Sequence, residues 1–238
     1  MTTWTPRGLA SEARAYAKLL WRVVEAQHTA STMRVVDSLE EQASLESILE
    51  DSKPSMPPAA QRLHYLLATP FRYRPHFGSR FRAALEPGVW YGGEALRTAL
   101  AEKSYWRLRF LLDSPDMPDL KAVPHTAFQA PVRTAAALDL TAAPLVRDAA
   151  AWSHRSDYTA TQALAAVARD AHIEIIRYAS VRDPGHGACA AVLDPKAFGR
   201  ARPRGLETWF IAASRKRVRC ACEERGAATW EFSREELC

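Results

Sequence analysis

PFRYRPHFGSRFRAALEPGVWYGGEALRTALAE, residues 70–102, gathers arginines and aromatic side chains ahead of a predicted helix that carries Glu102. The alternation in residues 71–74 predicts a strand with arginine and aromatic side chains on opposite faces. A turn at 78–79 follows, then a second aromatic strand over 88–91, and then a helix that carries Glu102. Guanidinium groups are seldom fully buried without partners. The four arginines at 72, 74, 80 and 82, ahead of Glu102 on the helix, therefore indicate a bound anion beside a group that develops positive charge.

The composition around this stretch is that of an ordinary globular protein. The chain has 238 residues, of which 47% are hydrophobic and 25% charged, and this length allows a substantial core. No apolar run approaches the roughly 20 residues that a membrane span needs. Charges interrupt every apolar run near the N-terminus, which is not the pattern of a secretory signal. We therefore expect a cytoplasmic protein without a membrane partner.

The basic character of the chain comes mainly from arginine. The net charge is +5, and only six of the 32 basic residues are lysines. Arginine suits bidentate binding of phosphate or carboxylate, although a GC-rich genome would explain its abundance equally well. No helix-turn-helix, zinc-finger or RNP motif is present, so we expect no direct nucleic-acid binding. The four cysteines do not complete a ligand set, and no other residues have metal-ligand spacing, so we expect reduced thiols and no metal.

The N-terminal part of the chain is predicted to be helical. Apolar residues recur at three-to-four spacing over residues 11–27, which predicts a first helix. A second helix is expected to start at Thr29, Ser31 or Thr32 and to present an acidic outer face. A proline-rich linker at 53–58 ends it. We therefore divide the chain into an N-terminal helical extension and linker, residues 1–58, and a main domain, residues 59–238.

The main domain is predicted to be a mixed α+β fold of short strands with flanking helices. No regular βαβ alternation and no G-x-G-x-x-G after a strand are present, which argues against a Rossmann fold. Beyond Glu102 we expect one or two strands over 122–138 and a helix over 156–170. Further strands are predicted over 173–178, 188–193, 207–213, 217–222 and 228–232.

Five short pieces of the chain, in order, resemble the RES-domain family, the NAD-degrading toxins of RES–Xre toxin–antitoxin pairs. The resemblance spans about residues 64–232 and is to the long form with a helical N-terminal extension. It implies a core like that of ADP-ribosyltransferases. The matching pieces are PFRY (70–73), GSRF (78–81), GVWYGG (88–93), TALAE (98–102) and YASVR (178–182).

The resemblance assigns roles to five residues. Glu102 would stabilise the positive charge that builds on ribose as its bond to nicotinamide breaks; otherwise it would be a helix-surface acid paired with a neighbouring cation, Arg97 or Lys103. Arg72 and Arg80 would hold the pyrophosphate of NAD, Tyr91 would orient nicotinamide, and Ser180 would donate a hydrogen bond to phosphate. Weaker candidates are Tyr73, Arg74 and Arg82, whereas His125 and His186 are expected to be structural or exposed.

The implied function is cleavage of NAD, with inorganic phosphate (a phosphorylase) or water (a glycohydrolase) as acceptor. The same pocket would also serve a protein mono-ADP-ribosyltransferase. A non-enzymatic module that binds nucleic acid or a partner through its arginines is a third alternative. The resemblance further implies a cognate Xre-type antitoxin as partner, with homo-oligomerisation inside that complex as an option.

Overall fold

The computed structural model describes residues 4–26, 36–222, 224–226 and 228–238. Within them the chain forms eight strands and seven α-helices. In chain order these are α1 (Pro6–Ser11), β1 (Arg14–Glu25), α2 (Leu39–Asp51), α3 (Tyr65–Arg72), β2 (Trp90–Gly93), α4 (Leu96–Leu112), β3 (Leu120–Asp139), α5 (Ala149–Trp152), α6 (Thr159–Asp170), β4 (Ile175–Ala179), β5 (Ala188–Val192), β6 (Arg204–Ala213), β7 (Arg217–Cys222), β8 (Ala228–Ser233) and α7 (Arg234–Leu237). The predicted mixed α+β class is confirmed.

The strands join in one sheet whose first part closes on itself. The order is β1-β2-β5-β4-β3-β6-β7-β8, and β1 also pairs with β3. Strands β1, β2, β5, β4 and β3 therefore form a ring, completed on one side by the pair Trp21–Gly93. Strand β3 pairs in parallel with β4 at its C-terminal end and antiparallel with β6 along its N-terminal half. Helix α4 packs on the sheet and contacts β1, β2, β6 and β7.

The predicted first helix is wrong, because residues 14–25 form strand β1. Eleven of its residues pair antiparallel with β3, from Arg14–Ala137 to Glu25–His125. The buried residues of β1 are Tyr16, Leu20 and Val23, and their spacing of four and three imitates a helical period. Pairing with a strand more than 100 residues away overrides that local pattern. The predicted division between residues 58 and 59 therefore separates β1 from β3, the strand with which it pairs.

The second predicted helix is present in part. Helix α2 begins at Leu39, and the Ser38 side chain caps it by accepting a hydrogen bond from the Glu41 backbone N–H. The candidate caps proposed at 29–32 lie outside the described residues. No residue of α2 is buried, so its stabilisation by the rest of the chain is slight.

The arginine-rich stretch 70–102 folds differently at its two ends. Residues 71–72 end helix α3, so the strand expected over 71–74 is wrong. The second strand is confirmed with a shifted start, as β2, and the helix that carries Glu102 is confirmed as α4. The backbone of Gly88 lies directly against α3, because a Cβ atom on residue 88 would lie 1.6 Å from the Pro70 carbonyl oxygen. A larger residue at 88 would push α3 away from the sheet.

The C-terminal half agrees well with the sequence patterns. Helix α6 and strands β4 to β8 fall within a few residues of their predicted positions. The one or two strands expected over 122–138 are a single long strand that continues through Pro131. The core includes a group of aromatic side chains in which Trp90 contacts Phe128 and Phe198. No helix among the described residues has the length and apolarity to cross a membrane.

If β1 is part of the core, removing an apolar side chain from it must destabilise the whole domain. We expect Leu20→Ala, at a residue with 0% exposure, to lower the free energy of unfolding by about 2–5 kcal/mol. The matched control is Leu39→Ala on α2, where the leucine is 77% exposed and the change should stay within about 0.5 kcal/mol. Urea unfolding followed by tryptophan fluorescence measures both, and equal effects would contradict the placement of β1.

Candidate active site

A cavity of about 220 Å³ opens between α4 and the closed part of the sheet. Helix α4 supplies Glu102 and Lys103, β1 supplies Arg22, and β2 supplies Tyr91. Arg80 comes from the turn before β2, and further walls come from Tyr158, Tyr178, Arg182 and Cys189. The cavity therefore collects side chains from widely separated parts of the sequence.

Glu102 is fixed in this cavity by one short hydrogen bond. The Ser180 hydroxyl donates to Glu102 Oε1 at 2.6 Å. Neither cation considered as its surface partner holds it, because Arg97 is ion-paired with Asp183 and Lys103 forms no ion pair in the described part of the chain. Burial raises the pKa of the Glu102 carboxyl, while the Ser180 hydrogen bond and the charges of Arg80 and Arg182 oppose that rise. The site thus holds an acid in a poorly solvated position among cations.

Ser180 acts on Glu102 from a tightly bonded turn. Its hydroxyl oxygen accepts hydrogen bonds from the backbone N–H groups of Arg182 at 3.1 Å and Asp183 at 3.0 Å. The hydroxyl has a single proton, and that proton is donated to Glu102. The geometry therefore makes Ser180 a positioning residue for Glu102, and its expected hydrogen bond to phosphate would require this one to break.

Asp183 ties the turn to helix α4. Its Oδ2 accepts from the Thr98 hydroxyl at 2.8 Å, and its Oδ1 is paired with Arg97. Both partners lie one turn before Glu102 on α4. Because the turn that carries Ser180 and the helix that carries Glu102 are joined at two points, their relative position is fixed before any ligand binds.

Two arginines of the cavity wall are held by neutral groups. Arg80 donates to the backbone carbonyls of Trp152 at 2.9 Å and His154 at 3.0 Å, and its guanidinium lies 4.7 Å from the Tyr158 ring centre. Arg182 donates to the Leu237 and Arg155 carbonyls and lies over the Tyr105 ring. Within the described residues neither has a carboxylate partner at ion-pair distance. Both charges are thus available to an anion in the cavity.

Tyr91 stands between this cavity and a larger one of about 660 Å³. Its hydroxyl forms a hydrogen bond with the Ser79 hydroxyl at 2.8 Å and accepts one from the Phe81 N–H at 3.1 Å. Burial raises the pKa of Tyr91, so the phenol is neutral. The two cavities share the residues Arg22, Ser79 and Tyr91, and together they form an elongated site.

Arg22 is a cavity residue that the sequence analysis missed. It lines both cavities, and its guanidinium carbon lies 5.1 Å from the Trp90 ring centre. Its buried Nη1 has no hydrogen-bond partner among the described residues. Burial lowers the pKa of Arg22 to about 10, which leaves it charged at neutral pH. The run Trp-Arg-Val-Val at 21–24 would have pointed to a strand with this arginine on one face, had the longer helical period not been preferred.

Arg72 lies away from both cavities. Its Nη1 is 2.5 Å from Glu50 Oε1, and its Nε donates to the Pro54 carbonyl at 2.5 Å. The expected pairing of Arg72 with Arg80 around one ligand is therefore absent, because residue 72 ends a helix that turns its side chain toward α2.

Two of the three weaker candidates lie at the larger cavity. Tyr73 and Arg82 line it, and Arg82 donates to the Phe77 carbonyl at 2.8 Å. His125 is buried and its pKa is lowered to about 4 by burial, so it is neutral. His186 contacts the Ser180 carbonyl oxygen through Nδ1 at 3.1 Å. No histidine lines the Glu102 cavity within the described chain, which leaves Glu102 as its acid.

The fold and the cavity define a class: a mixed α+β protein with a partly closed sheet and one acid among cations in a cleft. The RES domain family model matches residues 56–214, about two thirds of the chain, and the protein therefore belongs to the RES domain family. This confirms the resemblance carried by the five sequence pieces. A search of curated proteins finds no match.

Among solved structures, the chain is similar to one in the M. tuberculosis MbcT–MbcA toxin–antitoxin complex. The TM-score is 0.50 at 14% identity, and the match covers 85% of this chain and 92% of that one. At this identity the likeness establishes the shared fold.

The Ser180 hydrogen bond to Glu102 leads to a test by titration. We expect Ser180→Ala to raise the pKa of Glu102 above its wild-type value, because the variant removes a hydrogen bond that favours the ionised form. At a fixed mildly acidic pH, the ionised fraction of Glu102 would fall. Carboxyl-carbon NMR titration measures the shift, and the exposed Ser153→Ala serves as control. An unchanged pKa in Ser180→Ala would mean that the bond does not influence Glu102 in solution.

Proposed function

We propose that this protein is the toxin of a toxin–antitoxin pair and that it cleaves the nicotinamide–ribose bond of NAD. The observation that carries the proposal is the poorly solvated Glu102 carboxyl group, held by Ser180 at 2.6 Å in a cavity whose arginines have no carboxylate partner among the described residues. Membership of the RES domain family and the shared fold with a chain of a toxin–antitoxin complex support the toxin assignment.

Glu102 fits the chemistry of this bond. As nicotinamide leaves, positive charge builds on the ribose ring, and a fixed carboxylate next to the ring stabilises that charge. A rigid, poorly hydrated carboxylate does this better than a mobile one in water, because no solvent has to reorganise during the reaction. Ser180 supplies the rigidity, and the charges of Arg80 and Arg182 counter the rise in the Glu102 pKa that burial causes.

The two joined cavities suit an elongated dinucleotide. We assign the nicotinamide riboside half to the cavity of Glu102 and the adenosine half to the larger cavity. The pyrophosphate then lies at their boundary, where Arg22 presents a guanidinium without a hydrogen bond to any described residue. Arg80 supports it from the wall of the smaller cavity, and the Tyr91 ring borders nicotinamide.

The mouth of the smaller cavity offers a surface for an antitoxin. Trp106 lines the cavity yet is 53% exposed, and Phe110, one turn further along α4, is 55% exposed. Large exposed aromatic residues beside a cleft are typical of a docking surface. We propose that the cognate Xre-type antitoxin covers these residues and blocks access to NAD, which the free toxin would degrade in the cytoplasm.

The reaction itself is tested with a variant that keeps the shape of the acid and removes its charge. We expect the wild-type protein to release nicotinamide from NAD and Glu102→Gln to do so at least about a hundredfold more slowly, because the developing charge on ribose loses its counter-charge. Asp113→Asn, at the exposed end of the same helix, is the matched control. Mass spectrometry of products with and without phosphate separates the acceptors.

The products decide among the remaining alternatives. ADP-ribose phosphate that forms only with phosphate identifies a phosphorylase, and ADP-ribose formed without phosphate identifies a glycohydrolase. A protein labelled with ADP-ribose would identify a transferase. Intact NAD after prolonged incubation would contradict the proposed function.

The position of the pyrophosphate is tested by comparing two arginines. Arg22→Met should raise the KM for NAD by roughly tenfold or more, since a charge-assisted contact to phosphate is worth about 1.5–3 kcal/mol. Arg72→Met should change it less than about twofold, because Arg72 is ion-paired outside both cavities. Steady-state kinetics on both variants makes the comparison, and the reverse order of effects would contradict the assigned position.

A further inference from the structure

Lys103 is a cation of the Glu102 cavity that the assigned roles leave unused. It follows Glu102 directly on α4 and lines the smaller cavity, but it is absent from the wall of the larger one. Its side chain is half-buried, and its amine forms no hydrogen bond or ion pair in the described chain. A partly buried ammonium group without an acceptor loses hydration and gains nothing in return.

The surroundings of Lys103 are mostly positive. Burial lowers the pKa of Lys103, and the charges of Arg107 and Arg22 lower it further, while Glu25 opposes them. The neutral His125 lies near the same cations, and the Glu102 carboxyl group lines the same cavity. Lys103, Arg22 and Arg107 are thus balanced near Lys103 chiefly by Glu25, and an added anion would relieve the repulsion among these three cations.

We propose that Lys103 binds the inorganic phosphate that accepts the ADP-ribosyl group, and so directs the reaction to phosphorolysis. This inference rests on the proposed function. Arg22 lines both cavities and can reach the pyrophosphate at their boundary. Lys103 lines only the cavity of the reacting bond, which places its amine on the acceptor side.

The chemistry also calls for a cation at this position. A phosphate dianion that approaches the ribose must come close to the Glu102 carboxylate, and the two negative charges repel each other. Lys103 offsets that repulsion. An oxygen of HPO4²⁻ donates an electron pair to ribose C1″ as the C1″–N bond breaks. The electrons of that bond return to the pyridinium ring, so nicotinamide leaves neutral and ADP-ribose 1″-phosphate forms.

The test combines kinetics with phosphate binding in the absence of NAD. Lys103→Met removes the charge and keeps the apolar stem. Lys103→Gln also removes the charge but ends in a polar amide, and Lys103→Arg keeps the charge. The control is Lys196→Met, at a side chain that is 70% exposed. The KM values for phosphate and NAD are measured for each protein, and ³¹P NMR titration gives the Kd for inorganic phosphate. Thermal melting identifies any variant that is not folded.

The expected result is a rise of roughly ten- to hundredfold in the KM and Kd for phosphate in both neutral variants. The KM for NAD should stay within about twofold, Lys103→Arg should stay close to wild type, and the share of ADP-ribose among the products should rise. An unchanged phosphate KM and Kd would overturn the proposal, and so would a parallel rise in the KM for NAD. Intact NAD combined with Lys103-dependent phosphate binding would overturn the proposed NAD reaction and leave the anion site standing.

Discussion

The pairing of β1 with β3 is the constraint on which the rest of this structure depends. It closes the first part of the sheet into a ring and fixes Arg22 on the wall that faces α4. The same ring sets β2 beside β5, so that Tyr91 borders one side of the cavity and Cys189 another. Without this pairing the N-terminal strand has no partner, and the site loses the guanidinium that is free to bind an anion.

The second organising feature is a carboxylate placed where water solvates it poorly. Folding has to stabilise Glu102 against the cost of burial, and it does so with one hydroxyl and two guanidinium groups. Those guanidinium groups are held by backbone carbonyls and aromatic faces, so their charges are not cancelled by other acids. The result is a preorganised site that is negative at one point and positive around it. This arrangement matches a substrate with a developing cation and a pyrophosphate.

The sequence predicted the part of the site that local motifs describe. TALAE placed Glu102 on a helix, and the structure places Arg80 and Tyr91 in the same cavity. Ser180, which was expected to bind phosphate, instead donates a hydrogen bond to Glu102. Prediction failed where a distant strand decides the outcome. Strand β1 looked helical because Tyr16 and Leu20 pack in one core cluster and Val23 in another, so that their combined spacing imitates a helical period. That error hid Arg22. Arg72 was chosen from its motif, and the structure places it at the end of α3, paired with Glu50. The cations around Lys103 come from three elements, and only the folded chain brings them together.

The most direct test of this account is a crystal structure of the Glu102→Gln protein soaked with NAD, which the slow variant should leave intact. The account predicts the nicotinamide riboside next to residue 102, the pyrophosphate against Arg22, and the adenosine in the larger cavity. A dinucleotide bound elsewhere, or bound with its pyrophosphate at Arg72, would contradict the assignment of this cavity as the active site.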